Sequence, residues 1–182
     1  MDKTIRASVD DIRSANKEAQ NKAFLDLMAA TDQPVSWAYE VWDELLEGLQ
    51  HRDNHVRAIA SQLLCNLAKS DPKRRMLKDF AALLSVTKDE RFVTARHCLQ
   101  SLWKVGVVGI KQQQLAIAGL AFRYKECIQE KNCTLIRYDI IQGLHQLYAV
   151  VNDEAIKATA LALIETEADL KYRKKYASVW KK

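Results

Sequence analysis

Apolar residues recur in this chain at intervals of three and four, the spacing that gathers side chains onto one face of an α-helix. The clearest stretch runs from Thr87 to Gly106. A polar turn, Thr87-Lys-Asp-Glu90, leads into Phe92, Val93, Ala95, Leu99, Leu102 and Trp103, and a glycine ends it. That pattern predicts one amphipathic helix, and weaker copies flank it. Ile5, Val9 and Ile12 mark a short helix over 4–15. Phe24, Leu27 and Met28 mark a second over 16–30, closed by Thr31-Asp-Gln-Pro34 because proline biases its predecessor away from helix. Ala38, Val41, Trp42, Leu45, Leu46 and Leu49 form a third stripe. Val56, Ile59, Ala60, Leu63, Leu64 and Leu67 form a fourth, with Asn54 as its expected N-cap. Asp71 is expected to cap the next helix and Pro72 to sit in its first turn, ahead of Met76, Leu77, Phe80, Ala81, Leu83 and Leu84. A longer helix over 110–129 has Leu115, Ala118, Ala121, Phe122 and Ile128 as candidate core. Leu135 to Tyr148, then Ile156, Ala160, Leu161 and Ile164, continue the pattern. A basic helix from about Asp169 ends the chain with Leu170, Tyr172, Tyr176, Val179 and Trp180.

Turns within helix pairs fall near residues 53, 89 and 132, and turns between pairs near 33, 71, 107 and 153. A helical-hairpin unit of about 40 residues has the length of HEAT-like repeats. No helix of this kind buries its stripe alone, so hairpins are expected to stack into one core. The second helices open with Asp53-Asn-His-Val56-Arg57, Asp89-Glu-Arg-Phe-Val93-Thr-Ala-Arg96 and Asn132-Cys-Thr-Leu-Ile136-Arg137. A turn Asp or Asn, an apolar residue and then Arg resembles the HEAT repeat. The resemblance implies an all-α, right-handed α-α superhelix of about four hairpins plus terminal caps. It would form a single domain over 1–182, with an N-terminal cap at 1–15, repeats over 16–166 and a basic cap helix over 169–182. It also implies a ladder pairing Asp53 with Arg57 and Asp89 with Arg96, although the distance from turn residue to arginine varies between units.

Composition agrees with helix. Gly is 5 and Pro is 2 of 182 residues, too few for a sandwich or barrel. No apolar run approaches a membrane span, and the first residues lack a signal-peptide core, so no membrane association and a cytoplasmic location are expected. Cys65, Cys98, Cys127 and Cys133 show no C-x-x-C spacing and read as scattered reduced thiols, with no metal or cofactor implied. Net charge is +5, unevenly spread: residues 1–72 hold 8 Lys+Arg against 12 Asp+Glu, and residues 73–182 hold 20 against 11. An excess of cations favours an acidic partner for the second part, or simply a solvated surface.

The candidate binding residues are Arg57, Arg91, Arg96, Trp103 and Arg137 on the second helices, and Lys171, Arg173, Lys174 and Lys175 on the last helix. Arg57, Arg96 and Arg137 are expected either to line a concave face or to hold repeats together through turn aspartates. Trp103, at a stripe position, reads as core before ligand contact. His97-Cys98 is not a nucleophile–base pair, since adjacent helical residues point about 100 degrees apart. The expected function is therefore a non-enzymatic scaffold that binds a protein partner on its concave face. The alternative is a nucleic-acid partner. A group of bacterial alkylpurine DNA glycosylases is built of HEAT-like repeats, and similarity to them implies duplex binding on a basic inner face. Arg91, Arg96, Lys104 and Arg137 would line that face near Trp103, with Asp139 as the one carboxylate in the middle of an inner helix.

Overall fold

The computed structural model describes residues 1–181; Lys182, the last position of the predicted cap helix, lies outside the described residues. Those residues form α-helices joined by short turns, with no strand among them. None of the helices is long and apolar enough to cross a membrane. The chain divides into two compact units, the first Met1–Cys98 and the second from Leu99 onward.

The first unit holds α1 (Lys3–Asp11), α2 (Lys17–Ala30), α3 (Ala38–Gly48), α4 (Asn54–Leu67), α5 (Met76–Val86) and α6 (Phe92–Leu99). Short polar residues cap three of them. Asp2 accepts from the Thr4 amide, Asn16 from the Glu18 and Ala19 amides, and Asp53 from the His55 amide, each satisfying a backbone donor that the helix leaves free. The cap of α4 is thus Asp53 rather than Asn54. Asp53 has the extended backbone a cap requires, and Asn54 is already helical. Asp71 also caps, but from farther away than expected. Its two oxygens accept the Arg75 and Met76 amides at 2.9 and 2.7 Å, so α5 begins at Met76. Pro72 therefore lies in a turn that passes through Arg74 at φ 57°.

Within this unit alternate helices are tied together. Arg6 of α1 reaches Glu44 of α3 at 2.9 Å. Tyr39 and Trp42 of α3 donate to Asp71 and Asp79 at 2.5 and 2.9 Å, and Arg75 pairs with Asp43. On the even helices, Lys17 of α2 pairs with Asp53 at 2.8 Å, and Arg57 of α4 with Asp89 before α6 at 2.5 Å. These links all join residues 32 to 38 positions apart, a regular two-helix step. Between the two rows lie Val9, Ile12, Leu27, Trp42, Leu45, Leu63, Leu64, Phe80 and Leu83, all buried. Each such side chain contributes roughly 1.5–3 kcal/mol by leaving water.

The second unit holds α7 (Trp103–Gly106), α8 (Ile110–Glu126), α9 (Cys133–Val151), α10 (Glu154–Glu165) and α11 (Leu170–Ala177), with 3-10 turns after α8 and α11. The stretch predicted as one helix through Gly106 is broken. α6 ends at Leu99, and residues 100–102 turn. The Lys104 and Val105 amides bond three residues back, to Ser101 and Leu102, so α7 itself opens on a tighter turn. Alternate links recur: Gln113 donates to Asp153 at 2.6 Å, Arg137 to Glu167 at 2.8 Å, and the Tyr176 hydroxyl to the Thr134 carbonyl at 2.8 Å.

The buried face of α8 differs from the expected one. Phe122 and Ile128 are exposed, as is Ala118, while Gln112, Gln113, Ala116, Gly119, Leu120, Arg123 and Tyr124 are buried. Polar residues can occupy the core side here because they are partnered. Gln113 has Asp153, and Arg123 grips Glu130 through two bonds of 2.6 and 2.7 Å. Val93 and Leu161, placed on apolar faces by periodicity, are also exposed.

Candidate binding groove

One face of each even helix in the first unit meets in a groove of about 510 Å³. α2 contributes Lys17, Gln20, Asn21 and Phe24. α4 contributes Asn54, His55, Ala58, Ile59 and Gln62, and α6 contributes Val93, Thr94 and His97. The spacing within each set is three or four, so all three sets are helix faces rather than loops. Phe24, Ala58, Ile59 and Val93 make an apolar floor, with Val93 65% exposed. The rim is built of amides, imidazoles and one ammonium, and no Asp or Glu is among the lining residues.

Local chemistry fixes this rim. Asp53 receives Lys17 Nζ at 2.8 Å, the His55 amide at 2.9 Å and the His55 ring at 3.0 Å. The bond from Lys17, with those from His55, holds its carboxyl well below the ordinary range against the opposing effect of burial. The Thr94 hydroxyl donates to the Asn54 carbonyl at 3.2 Å, pinning α6 to the start of α4. Burial, reinforced by the adjacent Arg96 charge, lowers the pKa of His97 and favours its neutral imidazole. The groove can accept apolar side chains on its floor and offers hydrogen-bonding groups of both senses along its edge.

None of the nine candidate binding residues lines this groove. Arg57 is turned to Asp89 and to the His51 and Arg52 carbonyls at 2.8 and 3.2 Å. Arg137 is buried between the Tyr124 carbonyl at 3.2 Å and Glu167 at 2.8 Å, its guanidinium 4.7 Å from the Tyr124 ring centre. Arg91 is exposed, with its amide on Asp89 at 2.8 Å, and Arg96 is half-buried over Phe92. Asp89 is thus paired with Arg57, 32 positions earlier, and Asp53 with Lys17, 36 positions earlier, rather than with Arg96 and Arg57. Trp103 is half-buried at the head of α7, where its Cβ lies 4.0 Å from the position a Cβ on Gly143 would take. On α11, Lys171, Lys174 and Lys175 are exposed, and Arg173 bonds the Glu167 carbonyl at 2.8 Å.

Asp139 is fully buried and accepts from Gln100 at 3.2 Å. Cys98 is closed from solvent against the Leu83 carbonyl, and burial pushes its thiol up to about 12, which leaves it unsuited to act as a nucleophile beside His97. Among the described residues no three His, Cys, Asp or Glu side chains converge as metal ligands. Sequence reasoning missed the groove's polar rim. The available signal was polar residues on a second face at helical spacing, Lys17-Gln20-Asn21 and His55-Gln62. No protein-family model and no curated protein matches the chain.

Proposed function

We propose that this chain is a HEAT-like helical-repeat scaffold, wound as a right-handed superhelix, that binds a protein segment along the groove of α2, α4 and α6. The observation that carries the reading is the groove itself. Three successive even helices offer a continuous apolar floor with a hydrogen-bonding rim, the composition of a binding cleft. The repeat reading is supported by the ties between alternate helices at a regular two-helix step. In this account the arginines are spent on joining repeats, and the faces they leave free do the binding. No catalytic step is assigned to any residue.

The test is a photo-crosslinking side chain placed at Val93 and, separately, at exposed Val150 on α9, in cells of the native host. Protein adducts formed from Val93 and not from Val150 are expected. Equal adduct patterns from both positions, or none from Val93, would remove the reading.

A nucleic-acid partner is favoured by one separate observation in the second unit. Lys175 Nζ lies 4.6 Å from the Tyr138 ring centre and Lys171 Nζ 5.8 Å from that of Tyr172, so cations and aromatic faces interleave where α11 meets α9. That reading requires binding to a duplex or single-stranded oligonucleotide whose affinity falls steeply with salt. Retention only at very low ionic strength argues for a solvated basic surface.

A further inference from the structure

Four cysteines that sequence scatters are not all apart in space. Cys127 closes α8 and Cys133 opens α9, and the turn between them brings their sulfurs to 3.3 Å. That is van der Waals contact, so side-chain rotation and a small adjustment separate it from the roughly 2.05 Å of a disulfide. The two ends of the turn are anchored independently. Arg123 grips Glu130 on one side, and Arg137 on the other holds the Tyr124 carbonyl. Cys127 is buried, with its Sγ 3.3 Å from the Tyr124 carbonyl oxygen, while Cys133 is partly exposed. Cys65 and Cys98 are both buried, so Cys133 is the thiol that a small oxidant in solution meets first.

We infer that Cys127 and Cys133 form a peroxide-responsive dithiol that closes to an intramolecular disulfide across the α8–α9 turn. Hydrogen peroxide oxidises the Cys133 thiol to a sulfenic acid and releases one water. The Cys127 sulfur then attacks the Cys133 sulfur; the S–OH bond breaks, the S–S bond forms, and the Cys127 proton leaves with hydroxide as a second water. Two thiols and one peroxide thus give one disulfide and two waters. A thiol reductant reverses the reaction by exchange. Burial, with the bond to Cys133 next, pushes the Cys127 thiol up to about 12, which suits it poorly to sensing, so its attack on the oxidised Cys133 sulfur rests on their 3.3 Å contact. Where glutathione keeps thiols reduced, the pair rests open and closes only under oxidant.

The experiment uses the full folded chain, treated with a small excess of hydrogen peroxide and then read by intact mass and by non-reducing tryptic mapping. The expected result is a loss of about 2 Da, with the peptide 126–131 joined to 132–137 and the mass restored by dithiothreitol. Cys133→Ser and Cys127→Ser each abolish the linked peptide, and circular dichroism shows whether each variant is folded. Because the wild-type chain alone gives the decisive readout, a variant that fails to fold does not shelter the inference. It is overturned if the treated wild type keeps its mass, if it accumulates sulfinic or sulfonic acid without the linked peptide, or if Cys133 links only to a second chain.

Discussion

Arg57 Nε and Nη2 grip the two carboxylate oxygens of Asp89 at 2.5 and 2.8 Å, a fork-on-fork ion pair between residues 32 positions apart. A related pair stands in the second unit, where Arg137, early in its helix, donates through one nitrogen to Glu167, 30 positions on. Each arginine also holds backbone that precedes its own helix, Arg57 the turn carbonyls of His51 and Arg52 and Arg137 the Tyr124 carbonyl in the last turn of α8. Each acid in turn accepts the amide two residues ahead, Asp89 from Arg91 and Glu167 from Asp169. Each arginine therefore ties preceding backbone and a distant acid at once, which is why these positions serve cohesion and not ligand contact.

Breaking the first of these pairs should be costly. The two side chains are 13% and 6% exposed. Removing one leaves a nearly buried charge alone, and Asp89→Ala is expected to cost about 3 kcal/mol. Urea denaturation should show the midpoint lowered with the slope unchanged. The double replacement Arg57→Met with Asp89→Leu should recover much of that loss.

Acid should act on the same ties. Burial alone would raise the Asp89 carboxyl, but the Arg57 guanidinium and the Arg91 amide outweigh it, and the net shift is downward. Asp53 is lowered as well, chiefly by Lys17. A depressed carboxylate contributes stability that is complete above its unfolded pKa near 4 and is lost as pH falls through the folded value. Thermal midpoints should therefore be flat from pH 7 to about 5 and fall below pH 4. Asp89→Asn should flatten that acid limb.

Helix contact in the first unit depends on a missing side chain. A Cβ on Gly48 of α3 would stand 3.0 Å from the Cβ of Ala60 on α4, and Ala60 is fully buried with no rotamer to yield. Gly48→Val should destabilise by about 1–3 kcal/mol through overpacking, read from the same urea curves.

Most helices were legible in the sequence because their stripes are simple: Val41, Trp42 and Leu45, or Ile140, Ile141 and Leu144, point where periodicity places them. α8 was not. Its buried Gln113 and Arg123 count as polar in any pattern, and only their partners, Asp153 and Glu130, make them core residues. Those partners lie 40 and 7 positions away, which the local spacing of α8 does not encode. The break after Leu99 escaped for a different reason, since nothing in Gln100-Ser-Leu102 is a helix breaker by type. The arginine candidates were found but with the wrong partners. Arg57, expected to pair with Asp53, instead holds Asp89, 32 positions on. The groove itself was hidden because Val93 reads as core by spacing and becomes floor only when α2 and α4 stop short of covering it.

The most direct measurement is the affinity of the protein recovered by crosslinking at Val93, titrated by calorimetry against the wild type, Val93→Glu and Val150→Glu. Both valines are exposed, at 65% and 60%, so each substitution should leave stability within about 0.5 kcal/mol. A groove that binds its partner on the apolar floor predicts at least a roughly tenfold weaker Kd for Val93→Glu and no change for Val150→Glu. Equal affinity of Val93→Glu and the wild type would contradict the account.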